Sequence, residues 1–423
     1  MKNFFAKIIT IFQDRILRKR ILFTLGALVV FRLFAAIPIP GVDANKLATF
    51  FSSNNFLNLF NTFSGGGFSN LSIVMIGVSP YITASIIMQL LTIMSPRLKA
   101  LYQEEGDIGR KKFSQYSRLL TVPIAIVQAF GFLALLSSNG VLASMSGFEQ
   151  ITNIIIITGG ALLLMWIGEL ISEYGIGNGL SLIIFAGIVS GLPSGIAQLG
   201  FVFEVSQIPV YLLFFAVTLV VIAAVVVITE AERPIPITYA KQVRGSKVYG
   251  GVSTYLPLRL NQAGVIPIIF ALSILLFPQM IFSFLQSVNN ATFQSVSKYA
   301  LGLLDNGWVH GILYFFLVFI FTYFYTAVTF DPDSISTNLQ KSGAFIPGVR
   351  PGPPTSVHIA RILTRLTLFG ALFLGIIAVL PLIVKAGTGI TAFSVGGTAL
   401  LIVVSVVIDL IKKIEAQVSI REY

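Results

Sequence analysis

Apolar stretches about as long as a bilayer is thick recur ten times along these 423 residues, near 21–37, 76–95, 119–138, 151–171, 180–199, 209–229, 264–284, 308–329, 366–384 and 394–411. About 20 residues of helix cover the hydrocarbon layer. In lipid each segment has to satisfy its own backbone hydrogen bonds, so these stretches fold as helices. The expected class is all-α, a polytopic membrane protein of ten transmembrane helices. The first stretch is short and contains Arg32, and it ends at the break Ile37-Pro38-Ile39-Pro40-Gly41. With 55% hydrophobic and 11% charged residues and a mean hydropathy of +0.89, the chain carries more apolar surface than a soluble core could hide.

Lys and Arg fix the expected orientation. Of the 28, 24 fall in the N-terminal segment, in the loops after the second, sixth and eighth spans, and in the C-terminal tail. The opposite loops hold only Lys46, Lys298 and Lys385. This asymmetry places both termini in the cytoplasm. It also accounts for the net charge of +11 without specific DNA binding. Residues 1–20 space Phe4, Phe5, Ile8, Ile9, Phe12 and Ile16 at helical intervals. They read as an amphipathic helix on the membrane surface, not as a cleavable signal peptide. The expected division is an N-terminal half over 21–199, an external linker over 200–208, a C-terminal half over 209–411 and a cytoplasmic tail over 412–423.

Catalytic and coupling chemistry is sparse. There is no cysteine, and His310 and His358 stand apart without a ligand pattern, so neither a thiol site nor a zinc site is expected. No cofactor is expected. Arg32 can snorkel, and Glu169, Glu173 and Asp409 fall at span ends, where structural roles outweigh proton or ion coupling. The run Gly175-Ile176-Gly177-Asn178-Gly179 lacks the Lys-Ser/Thr ending of a phosphate loop and reads as a tight turn between spans. A secondary transporter built on an inverted repeat is the alternative class. It would need midplane polar groups that this sequence scarcely offers.

Two regions suggest a pathway through the membrane. Gly77-Val78-Ser79-Pro80 opens the second span and Gly264-Val265-Ile266-Pro267 opens the seventh, which holds the same place in the latter half. Five spans per half is odd, so a duplicated unit enters the membrane inverted, and a pathway at the interface of the halves is expected. Asn58–Asn70 reads NLFNTFSGGGFSN, too polar and glycine-rich to span. Composition leaves two readings open: a disordered outer loop, or a short helix folded into a pore mouth. The loops over 230–261 and 331–364 are long, basic and rich in Pro and Gly, read either as topological anchors or as docking sites for a cytosolic partner.

Six long motifs, in order, resemble those of the SecY/Sec61 translocon channel family, its bacterial branch best. They are FNTFSGGGFSNLSIVMIGVSPYITASIIMQLL (Phe60–Leu91), EEGDIGRKKFSQYSRLLT (Glu104–Thr121), YGIGNGLSLIIFAGIVSGLP (Tyr174–Pro193), YLPLRLNQAGVIPIIFA (Tyr255–Ala271), NLQKSGAFIPGVRPGPPT (Asn338–Thr355) and GGTALLIVV (Gly396–Val404). The resemblance implies a passive pore for unfolded polypeptides in the bacterial plasma membrane, formed between two inverted five-helix halves.

It also implies roles for particular residues. Ile82, Ile86, Leu180, Ile184, Ile269 and Ile402 would form the constriction ring. The plug, a short helix within about 58–72, would include Phe60, Asn61, Phe63, Ser64, Gly65, Gly66, Gly67, Phe68 and Leu71. A lateral gate between spans two/three and seven/eight would carry Ile87, Leu90, Gln128, Ser273 and Phe277, and would release signal peptides and membrane helices into lipid. Lys241, Arg244, Lys247, Lys341 and Arg350 would dock a SecA ATPase or a ribosome. SecE-like and SecG-like small subunits are the implied membrane partners. In the first docking loop Gln242 and Ser246 stand where relatives often carry basic residues.

Overall fold

The computed structural model describes residues 14–40, 64, 66–68, 70–138, 140–142, 146–201, 208–240, 242–244, 247–249, 253–287, 290–388 and 396–419. In chain order the first half holds α1 (Arg15–Ala35), α2 (Ser79–Met94), α3 (Pro96–Gln103), α4 (Gly106–Ser138), α5 (Gly147–Tyr174) and α6 (Gly179–Phe201). After α7 (Ile208–Glu230) come strands β1 (Glu232–Tyr239), β2 (Gln242–Arg244), β3 (Lys247–Tyr249) and β4 (Ser253–Arg259). Helices α8 (Ile266–Ser287), α9 (Ala291–Asp305), α10 (Gly307–Thr329) and α11 (Pro332–Lys341) follow, then β5 (Ala344–Phe345), α12 (Pro353–Thr388) and α13 (Gly396–Ser419).

Ten of these helices overlap the ten apolar stretches in order; α3, α9 and α11 lie between them. By length and composition, residues 106–137, 147–174, 211–230, 307–341 and 353–384 suffice to cross a membrane, and Ser79–Met94, Gly179–Gly191 and Ile266–Leu275 are shorter apolar helices. The exterior is that of a lipid-facing protein. Leu212, Phe215, Val220 and Val227 on α7 are largely exposed, while Thr83, Thr121 and Gln128 are buried. That inversion of the usual soluble pattern needs an apolar solvent.

Element boundaries differ in detail from the expected spans. Residues 15–20 are not a separate surface helix but the first turns of α1, whose start Asp14 caps by accepting from Ile16 N at 2.8 Å. Residues 1–13 lie outside the described residues. The tail from 412 continues α13 to Ser419 rather than leaving the bundle. Helix α6 reaches Phe201 and α7 begins at Ile208; residues 202–207 of the expected linker lie outside the described residues.

The class is not purely α. Where open loops were expected, β1 pairs antiparallel with β4, and β5 joins the other side of β1, giving the order β4-β1-β5. The cause is local. Pro234 and Pro236 forbid helix, and their alternation with buried Ile235 and Ile237 puts the β-branched residues on one face. Strand β5 touches β1 only at Thr238 and Tyr239, so both prolines sit where β1 has a single neighbour. The second loop, 331–364, is largely helical as well, formed by α11 and the early turns of α12. Ile359 there is fully buried against Ile235, Leu258 and Ile346.

Tight approaches hold the first half together. A Cβ on Gly160 of α5 would overlap the Ile73 carbonyl, whereas Gly159 beside it faces open space. Gly160→Ala is therefore expected to lower the stability of the detergent-solubilised protein by about 1–3 kcal/mol. Gly159→Ala is expected to leave it unchanged or raise it by up to ~1 kcal/mol. Thermal unfolding of the two variants measures the contrast.

Candidate functional site

The repeated Gly-X-X-Pro motifs build the same local structure twice. Gly77 and Gly264 both adopt a left-handed backbone, with φ of 65° and 60°. In each case the helix begins two residues later and proline occupies its second position, where no N–H is required. Ile82 on α2 and Ile269 on α8 thus stand at matching depths, one turn into equivalent helices.

The six expected ring residues all belong to, or pack against, one extended apolar cluster that holds many further side chains, Phe31, Phe270 and Tyr314 among them. Ile86, Ile184, Ile269 and Ile402 are buried members of one apolar cluster, and Ile82 and Leu180 pack against it half-buried. Four helices, α2, α6, α8 and α13, supply them, from sequence positions over 300 residues apart. The i,i+4 spacing puts Ile82 with Ile86 and Leu180 with Ile184 on shared faces. The six side chains are aliphatic and make no side-chain hydrogen bonds to one another.

Helix α2 packs on both α4 and α8, and α8 also packs on α4. Buried Gln128 of α4 donates from Nε2 to Thr83 Oγ1 of α2 at 3.5 Å, and Thr83 in turn donates to Ser79 O. Among the described residues Gln128 Oε1 has no hydrogen-bond partner. Ser273 of α8 is buried, Ile87 half-buried and Leu90 exposed, and Phe277 lies one turn beyond Ser273 on α8. The α2–α4 contact around Gln128 and Thr83 is thus polar and incompletely satisfied among the described residues. Gln128 was an expected gate residue; its partner Thr83 was not singled out, because the pairing spans 45 residues of sequence.

Of the expected plug residues, Phe60, Asn61, Phe63 and Gly65 lie outside the described residues. The described Ser64, Gly66, Gly67, Phe68 and Leu71 lie in turns. They do not enter the ring cluster. Phe68 and Leu71 are fully buried in a second cluster with Phe132, Leu133 and Leu136 of α4 and Ile157 of α5. The Phe68 and Phe132 rings meet edge to face at 5.1 Å. The chain beyond is stitched to the exit of α1: Ile39 N donates to Leu71 O at 2.8 Å and Ile73 N to Ile37 O at 3.0 Å. Arg32, expected to snorkel, brings its guanidinium to this same segment, 3.5 Å from where a Gly66 Cβ would stand. Leu71 adopts a φ of 40°, a strained conformation for a residue with a side chain. Phe68→Ala should cost this packing ~3 kcal/mol or more. The expected result is faster protease cleavage within 64–78 and a raised ion leak in vesicles, with α-helix content unchanged.

The two loops that carry the docking candidates are joined through one sheet. Register pairs Thr238 with Phe345 and Tyr239 with Ala344, so the two loops, separate in sequence, share a sheet. Arg350 is exposed on the turn Pro347–Gly352, which is held from two sides: Ser336 Oγ donates to Gly352 O at 2.6 Å, and Thr355 Oγ1 donates to Arg350 O at 2.8 Å. Lys341 is exposed at the end of α11. Arg244 and Lys247 are backbone register partners across β2–β3, while Lys241 lies outside the described residues.

The remaining charges near the span ends are structural. Glu169 of α5 accepts from Arg118 of α4, Glu230 pairs with Lys412 at 2.8 Å, and Asp409 pairs with Lys413 one turn on. The glycine run is a tight turn, with Gly177 at φ 92°, Asn178 capping α6 through Leu180 N, and Thr24 of α1 accepting from Ile176 N.

The SecY family model matches residues 72–411. The chain belongs to the SecY family. The protein translocase subunit SecY of Mycobacterium bovis is 42% identical over 427 residues, covering 96% of each chain. That of Streptomyces coelicolor is 40% identical over 429 residues, covering 97% of each. A solved SecY, whose plug domain stabilises the closed channel and maintains a membrane seal, superposes with a TM-score of 0.63 at 19% identity, over 95% of this chain and 92% of that one. Sec61 in a canine ribosome-channel complex superposes with a TM-score of 0.57 at 18% identity, over the same shares. The shared SecY fold agrees with a multi-pass, predominantly helical membrane protein.

Proposed function

We propose that the chain is the channel-forming subunit of a protein translocase, passing unfolded polypeptides across the membrane and releasing apolar segments sideways into lipid. The observation that carries this reading is that six aliphatic side chains from four helices of both halves belong to, or pack against, one continuous cluster of apolar residues. An aliphatic constriction excludes hydrated ions, yet its side chains separate around a passing chain at no hydrogen-bond cost. Ten membrane crossings in two inverted halves, with both termini cytoplasmic, fit the paired Gly-X-X-Pro starts and the basic loops. The seam around Gln128, Thr83 and Ser273 serves as the lateral gate. The turns at 64–72, anchored by Phe68 and strained at Leu71, serve as a displaceable plug.

The chain works as a channel and not as an enzyme, so the driving force comes from a partner. The shared sheet and the Arg350 turn suit docking of a SecA ATPase or a translating ribosome. SecE-like and SecG-like subunits complete the complex in a bacterial plasma membrane. The test is vesicle reconstitution with such small subunits and a SecA motor. ATP-dependent protection of a signal-bearing unfolded precursor is expected. Gradient-driven uptake of a small solute by the chain alone, with no precursor protected, would overturn the reading in favour of a secondary transporter.

A further inference from the structure

Helix α9 has no role in the pore, yet it carries an apolar face that protein does not cover. Phe293, Val296, Tyr299 and Leu303 are all exposed, Tyr299 most at 73%. At 100° per residue they occupy one arc of roughly 120°. The neighbouring face is spent on the protein: α9 packs along α8 and against α10, and Ser297 is fully buried. Gln294, Ser295 and Lys298 occupy the third side and are exposed. Four large side chains in a row are too much apolar surface to leave in water without a partner.

The position of α9 identifies that partner. Only Asn306 separates it from α10, whose start Asn306 caps by accepting from Trp308 N at 3.0 Å. One residue spans at most ~3.6 Å, so the end of α9 cannot rise away from the point where α10 enters the bilayer. There Trp308, Ile312, Phe316 and Ile320 form an exposed i,i+4 stripe on a helix apolar enough to cross a membrane. That stripe is lipid-facing, and Trp308 at its head stands at the level aromatic side chains favour, the headgroup layer. The exposed arc of α9 ends at the level where this stripe begins.

We propose that α9 is a lipid-binding helix lying in the headgroup layer at the end of the bundle opposite the basic loops, with Phe293, Val296, Tyr299 and Leu303 inserted among the upper acyl carbons and Lys298 directed to water. Its amphipathic pattern is that of an interfacial helix. Because α9 is packed along α8, this contact fixes the far end of α8 relative to the bilayer surface. The proposal needs only that the chain is membrane-embedded; it stands or falls separately from the pore reading.

The chain has no cysteine, so single probes can be placed without background. An environment-sensitive fluorophore is attached at Tyr299→Cys, and in a separate sample at Lys298→Cys, in the full-length chain with its co-purifying subunits. Both samples are reconstituted in phosphatidylcholine–phosphatidylglycerol vesicles. At Tyr299 a blue-shifted emission is expected, with quenching by nitroxide on an upper acyl carbon about threefold stronger than quenching by aqueous iodide. The reverse is expected at Lys298. Equal iodide quenching at both positions would overturn the proposal, leaving a helix standing in water. Protection of Tyr299 from both quenchers would also overturn it, showing that a protein subunit and not lipid covers the face. Neither outcome depends on whether the vesicles transport polypeptide.

Discussion

Replacing Ile82, Ile86 and Ile402 together by Asn should make resting vesicles leak ions on the order of 50-fold faster. The figure follows from the barrier an uncharged midplane imposes, at least ~2.5 kcal/mol per charge, with each 1.4 kcal/mol worth tenfold. Asparagine is close to isoleucine in reach but hydrogen-bonds water, so a dry contact becomes a wetted one. Ile402 and Ile86 are buried in the cluster, and the triple variant also costs packing. Ile82 is only half-buried, so Ile82→Asn alone tests the same idea in a well-folded protein and should raise the leak by a smaller factor. Export of precursors with defective signal peptides should improve alongside the leak. Unchanged conductance in both variants, with the fold intact, would remove these residues from the constriction.

Arg350→Glu should weaken docking of the cytosolic partner about 30-fold or more and abolish motor-driven export, while the resting seal stays intact. A central Arg contact is commonly worth ~2 kcal/mol or more, and reversing its charge adds repulsion from an acidic partner surface. The side chain is exposed, and the turn is held by the backbone oxygens of Arg350 and Gly352, not by the guanidinium. The substitution thus leaves the turn in place. Binding of a SecA-type ATPase to vesicles, measured beside ion leak, separates the two effects. Lys341→Glu, at the end of α11, should weaken binding by a smaller factor. Normal motor binding by Arg350→Glu would shift the docking role elsewhere on the shared sheet.

The sequence by itself determined the helical membrane architecture, because apolar runs of bilayer length leave the backbone no other solution. The i,i+4 spacing made legible that Ile82 with Ile86 and Leu180 with Ile184 share helix faces, and the glycines made legible the Gly175–Gly179 turn. The paired Gly-X-X-Pro starts were legible as a repeat, and the structure gives both the same left-handed glycine.

Tertiary structure decided what sequence distance hides. That Ile402 and Ile86 join one extended apolar cluster, that Gln128 meets Thr83, and that Arg32 lies against Gly66 are set by how helices stack, and no local pattern encodes them. The β4-β1-β5 sheet was half legible. Alternating Pro and Ile over 234–237 signals a strand, but its partner β5 arrives about a hundred residues later. The exposed arc of α9 likewise became visible only once packing had used the adjacent face. Local hydrogen bonding and hydrophobicity act over a few residues and write themselves into the sequence, whereas side-chain contacts between helices depend on the relative placement of whole elements.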